Sequence, residues 1–408
     1  MLRFVSLTRS PVSRIRFVTL PLFAALGCSP EMPEDAFPAI ADSAGVRLVT
    51  SGPRGEWGDG EAWRLVPDLR IGMVDGPPEY MFSQVAALAL GPGDTIYVLD
   101  QGDKAVTAYD PQGRFVRRFG REGDGPGEFR APGSMAAGRD GLLVYDWRPR
   151  RLTRFSWTGE VVSTVLVEQW TPFGANLRMV GDTAFTLGMT GGQSAPPRPT
   201  DGRFWLVRFS TAGAVLDTLI ADQGGESVVH RRENSVTVFG APFARGPRWD
   251  VAPDGRVAYG RGDAYVIDLY ANAPDVRLVA RVRRTEPSLE ATEADRSAYR
   301  EPYQRPSLPE ATRRRHAEIL ETVSYPATWP AYTQLLFDAA GRLWGRRPVH
   351  AGDSVIPRDV FTPEGVYLGE VTFPGRLNVL LIGDDAVYGV ERDELDVPAV
   401  VRYRIARP

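Results

Sequence analysis

Between Phe82 and Phe129 the chain holds four short apolar segments separated by turn signals, and this outline recurs along the rest of the sequence. A repeat of this kind constrains the fold more than any single motif, because each unit must bury its faces against its neighbours. Gln84 to Leu90 is small and apolar throughout, as a strand covered on both faces should be, and Gly91-Pro92-Gly93-Asp94 turns the chain. Ile96 to Leu99 and Ala105 to Tyr109 follow as second and third strands. Asp110-Pro111-Gln112-Gly113 supplies the next turn, and Phe115 to Phe119 alternates apolar residues with arginine, so one of its faces meets water. These strands are denoted a, b, c and d.

The glycine of the a-to-b turn recurs at Gly93, Gly141, Gly181, Gly255, Gly341 and Gly383, each ahead of a strand b candidate. An aromatic residue precedes a c-to-d glycine in Tyr109/Gly113, Phe155/Gly159, Phe209/Gly213 and Phe361/Gly365. Six units of four strands predict an all-β chain folded as a six-bladed β-propeller over residues 44–408. The sixth unit runs out after its third strand, Val400 to Ile405. Leu65 to Ile71 precedes the first unit, and the string after it, Gly72 to Phe82, parallels Gly120 to Phe129 after the first strand d. The N-terminal strand is therefore expected to close the ring in the last blade, with Val46 to Thr50 as a fifth strand at that seam.

Gly120 to Phe129, Ala131-Pro132, Tyr145-Asp146 and the aromatic-x-x-x-Gly turn resemble NHL-type repeats. The mature chain is similar to bacterial exported six-bladed propellers, many of them lipoproteins. That resemblance implies a fold and leaves function open, because propellers serve as binding modules and as enzymes.

The intervals from Gly181 to Gly255 and from Gly255 to Gly341 exceed a plain blade. The extra residues fall at 188–203, 222–247 and 285–330, in b-to-c and d-to-a connections, which leave a blade at the same end. One face of the disc is thus expected to carry every large insertion. The 285–330 insertion, between blades four and five, reads as a small helical hairpin. Glu290 to Tyr299 forms its first helix and Ala311 to Thr322 its second, with a capping box at Ser307-Leu308-Pro309-Glu310 and prolines bounding both.

Arg3, Arg9, Arg14 and Arg16 precede an apolar run, Phe17 to Leu26, too short to cross a bilayer. Residues 1–27 read as an export signal, and Ala25-Leu26-Gly27-Cys28 resembles the bacterial lipobox, with Ala25 departing from its usual leucine. Cys28 is then the lipidated first residue, and 28–43 a flexible tether. With one cysteine in the chain no internal disulfide can form. The 48 basic and 51 acidic residues offer no footprint for nucleic acid.

Candidate chemistry falls on the elaborated face. Arg148 and Arg150, Arg261 and Arg346 follow strands b, where guanidinium groups would suit carboxylate, phosphate or an acidic sugar. Asp100 and Asp146 end strands b as rim ligands or as caps of the following turn. His230, His316 and His350 could together hold zinc, which would fit the resemblance to amidating lyases; a lactonase-like propeller would instead hold calcium on its axis. The reading is of a monomeric, lipid-anchored module of the cell envelope, without a cofactor, binding a protein, peptide or glycan. A metal-dependent hydrolase or lyase is the alternative.

Overall fold

The computed structural model describes residues 37–408 except 168–169, 191–202, 233–234 and 273–274. The expected lipidation site Cys28, the signal and most of the tether lie outside the described residues. Six blades of four antiparallel strands follow one another; five are four-stranded sheets, and blade four is widened to six strands by two from the N-terminal segment. Blade one comprises Val85–Leu90, Ile96–Asp100, Ala105–Tyr109 and Phe115–Phe119, in the predicted order. Blade five comprises Gln334–Phe337, Leu343–Arg346, Val355–Phe361 and Tyr367–Pro374.

The core is distributed between blades. Leu99, Leu142 and Phe155 pack between blades one and two. Trp344, Val360, Phe373 and Val387 pack between five and six, and Ile71, Leu88, Ile96 and Val400 between six and one. The last cluster closes the ring. Its strand, Arg64–Ile71, pairs with Pro398–Ala406 through Val400↔Ile71 and Arg402↔Leu69. The aromatic ahead of each c-to-d glycine is fully buried, as at Tyr109 and Phe361. Gly113 takes φ 78° in that turn, a backbone that favours glycine. Gly383 alone of the a-to-b glycines lies outside the positive-φ set.

The N-terminal segment departs from expectation. Val46–Ser51 pairs in parallel with Arg277–Arg284, the outer strand of blade four, and not at the closing seam. Ala39–Ser43, assigned to the tether by sequence, pairs antiparallel with Val46–Ser51. The unpaired edge of blade four supplies the reason, since an exposed row of N–H and C=O groups accepts another strand. Val49 is fully buried there. From blade four the chain straps across blade five, where Trp57 N donates to Leu368 O at 2.8 Å. It then enters blade six beside Trp63, which lies 5.0 Å from Trp57.

Inside the ring the inner strands share one carboxylate. Asp250, on strand a of blade four and 3% exposed, accepts from Arg178 of blade three and from Phe337 N of blade five at 2.6 Å. Its oxygens are committed to joining three blades.

Candidate functional site

All described excursions from the blade pattern leave from b-to-c or d-to-a connections. In blades one and two an aspartate fixes that end, as Asp100 shows. Its carboxylate accepts from Ser83 N at 2.7 Å and Gln84 N at 3.0 Å on the incoming connection, and from Gly102 N at 2.8 Å on the outgoing one. Asp146 repeats this with Arg130 N, Ala131 N and Arg148 N, at 2.8, 2.8 and 3.1 Å. Both are buried. As rim ligands they are therefore corrected: they staple neighbouring connections and present no oxygen outward.

The excursions are a β-hairpin, Ser227–Arg232 with Ser235–Gly240, and two helices, Glu293–Gln304 (α1) and Glu310–Leu320 (α2). The sequence places the capping box at Ser307, but α2 starts at Glu310 with Pro309 at its N-cap and no side-chain cap. The reciprocal box forms at α1 instead, between Thr292 and Asp295. Helix α1 also runs through Pro302, where the sequence ends it at Tyr299. A proline in the last turn removes one backbone bond, and Tyr299 before it and Tyr303 after it meet with tilted rings 5.6 Å apart. The neck of the insertion is tied by Ala291 N to Ala327 O and Trp329 N to Leu289 O, at 2.8 and 2.9 Å.

Asp295 does more than cap. It is 2% exposed and accepts from Ala351 N at 2.7 Å, His350 Nδ1 at 2.9 Å and Trp329 Nε1 at 3.3 Å. One carboxylate thus latches α1 to the b-to-c loop of blade five. These bonds hold its carboxyl far below the ordinary carboxylate range, against the opposing effect of burial. A depressed folded-state pKa contributes stability that is complete above the unfolded value, near 4, and lost as pH falls through the folded one. The latch is accordingly expected to stay closed at neutral and mildly acidic pH. Asp295→Asn should shift the tryptophan fluorescence of the native chain at neutral pH, because Trp329 Nε1 loses its charged acceptor.

Over this latch lies a cavity of about 340 Å³, walled by Phe243, Ala298, Tyr299, Trp329, Val349 and His350. Phe243 stacks on Trp329 with centroids 4.3 Å apart, and Tyr299 Oη donates to Gly240 O at 2.8 Å. Phe243 holds φ 51°, a left-handed backbone that a bulky residue adopts only when its surroundings enforce it. A larger cavity, about 620 Å³, opens at the opposite end among the short turns at Asp254, Gly341 and Glu364. Two arginines line it, Arg47 and Arg256, and Arg256 is paired with Asp254 at 2.6 Å.

The remaining candidates separate. Arg148 is exposed and Arg150 half-buried in one turn of blade two. Arg261 is matched by Asp222 at 2.9 Å and Asp263 at 3.6 Å. Arg346 is half-buried on blade five, where burial lowers its pKa. His230 sits on the hairpin, His316 contacts Tyr303 O at 3.0 Å and His350 belongs to the latch. Among the described residues no three His, Cys, Asp or Glu side chains gather to hold a metal, which corrects the histidine triad as a zinc site. Sequence reasoning missed Asp295, Trp329 and Arg358.

Over residues 79–170 the chain matches a family model described as a 6-bladed beta-propeller. No curated protein matches it in sequence. Among solved structures it is similar to an exported protein of Bacteroides fragilis, at 11% identity and TM-score 0.50, covering 88% of this chain and 100% of that one. It is also similar to a protein of Bacteroides vulgatus, at 11% identity and TM-score 0.46, covering 85% and 99%. A calcium-binding regucalcin of Agrobacterium tumefaciens aligns at 11% identity and TM-score 0.40, covering 84% and 96%. At such identities the first likeness is one of fold, and the fold is a six-bladed propeller.

Proposed function

We propose that this propeller is an extracytoplasmic, lipid-anchored module that binds a protein, peptide or glycan through its insertion-bearing face. The observation that carries the reading is the cavity over Asp295. Its walls come from three connections: the buried Asp295 joins the helical insertion to the b-to-c loop of blade five, Tyr299 ties in the segment after the hairpin, and Phe243 of that segment is held in a left-handed backbone. Strain and a tied-down aromatic wall are what a preorganised binding pocket needs. The cavity is lined mainly by apolar and aromatic groups with an imidazole at its edge, suited to an aromatic or apolar group carrying a polar end.

Two matched substitutions test it. Ala298 and Ala339 are both exposed, the first in this cavity and the second at the opposite end. Ala298→Arg should abolish capture of the envelope partner by the purified protein, at least tenfold, while Ala339→Arg leaves it unchanged. Equal loss in both, or in neither, would sink the assignment. The anchor is tested separately: Cys28→Ser should move the protein from the membrane to the soluble fraction, and unchanged membrane association would contradict it. Among the described residues no helix is long and apolar enough to cross a membrane.

A further inference from the structure

Three strands of blade five bring two arginines side by side. The register Gln334↔Arg346 and Arg346↔Arg358 places all three side chains on one face of the sheet. Two residues further along, Leu336, Trp344 and Val360 occupy the same face and pack against blade six. The arginines therefore stand where the cleft between blades five and six opens toward the insertion-bearing end. Arg358 is 2% exposed, whereas Arg346 is half-buried and reached by solvent.

Among the described residues neither is paired with a carboxylate. Arg358 donates Nη2 to Gln334 Oε1 at 2.6 Å and lies 5.0 Å over the Phe373 ring. Its Nε and Nη1 are buried without an acceptor. The other two arginines buried among the described residues each carry a carboxylate: Arg284 has Asp359 at 3.0 Å, and Arg151 has Asp146 at 3.6 Å. Like charges opposed across a strand pair are unfavourable, and more so away from water. Burial, and then the charge of Arg346, pull the Arg358 guanidinium down to about 9. At neutral pH it is still a cation. Two cations held together with spare donors form the arrangement that binds an oxoanion through paired N–H···O bonds.

We propose that Arg346 and Arg358 form an oxoanion site at the mouth between blades five and six, taking a carboxylate, sulfate or phosphate group. The site is independent of the cavity over Asp295, and its test does not use that cavity.

Thermal unfolding of the full chain should be followed in phosphate, sulfate, acetate and glucuronate, against chloride at matched ionic strength. The native protein should gain several degrees in at least one of these, and Arg346→Gln should lose that gain. Arg346→Glu supplies an internal carboxylate, so its midpoint in chloride should rise above that of the native chain and its response to added anion should vanish. Gain in the carboxylates alone assigns an organic acid or acidic sugar; gain in phosphate and sulfate assigns an inorganic or ester oxoanion. Position 346 is half-exposed, so both variants are expected to fold, whereas Arg358→Gln carries the greater risk of misfolding. No gain in any anion, or a gain equally large in Arg346→Gln, overturns the proposal.

Discussion

Asp359→Ala is expected to destabilise the protein by about 3 kcal/mol, the low end of the range for breaking a buried ion pair. Asp359 is fully buried on strand c of blade five. It accepts from Tyr265 Oη at 2.6 Å and Tyr367 Oη at 3.2 Å, and faces Arg284 Nη1 at 3.0 Å. Burial raises its carboxyl above the ordinary value, while Arg284 and Tyr265 pull the other way. The pair itself therefore adds little; the loss comes from taking away one of the two carboxylates beside the buried Arg284 and the acceptor of two buried hydroxyls. Glu286, 2.9 Å from Arg284, still holds the cation and keeps the loss at the lower end. The double variant Arg284→Met/Asp359→Leu should recover part of it, because replacing both charges by apolar groups removes a buried cation that is left half-matched. Urea denaturation of the three proteins checks this. A double variant less stable than Asp359→Ala would refute the mechanism.

The larger effect is expected from the N-terminal strap. A chain beginning at Gly72 should not yield a folded monomer, whereas chains beginning at Phe37 and at Arg64 should. Removal of Arg64–Ile71 leaves the edge of Pro398–Ala406 unpaired and uncovers the cluster around Val400 and Leu88. Ile71 alone, 2% exposed, is worth about 1.5–3 kcal/mol of burial, and total stabilities run only about 5–15 kcal/mol. Starting at Arg64 keeps the closing strand but removes Val49 and Trp57, so that chain should fold with a lower midpoint than the one starting at Phe37. Size-exclusion chromatography and near-ultraviolet circular dichroism distinguish the three. A folded, monomeric chain from Gly72 would show that the ring does not depend on this closure.

The closing strand was legible because two strings, Gly72 to Phe82 and Gly120 to Phe129, repeat the same position in two blades. The place of Val46–Ser51 was not, since parallel pairing to a free edge leaves no local mark and its partner, Arg277–Arg284, is distant in sequence. Turn glycines and buried aromatics were legible because each obeys a steric demand of its own turn. The helical insertion is legible from its helix formers, but the Ser307 pattern does not cap its helix, and Thr292 with Asp295 forms the box at α1 instead. The importance of Asp295 depends on His350, 55 residues away, which no local pattern reveals. Arg346 is legible as a rim cation from its place after strand b, whereas its neighbour Arg358 stands inside strand c with no turn signal beside it. Parity could have found it: along Val355–Phe361 the even positions 356, 358 and 360 face blade six, and an arginine among them is out of keeping with an apolar face.

The insertion-bearing face is the proposed binding face. Hydrogen–deuterium exchange of the protein with and without the proposed envelope partner tests this most directly. Protection is predicted in segments 240–244, 295–301 and 347–353, which wall the cavity over Asp295. Protection confined to the turns at 253–256, 339–342 and 363–365, which line the opposite end, would contradict it.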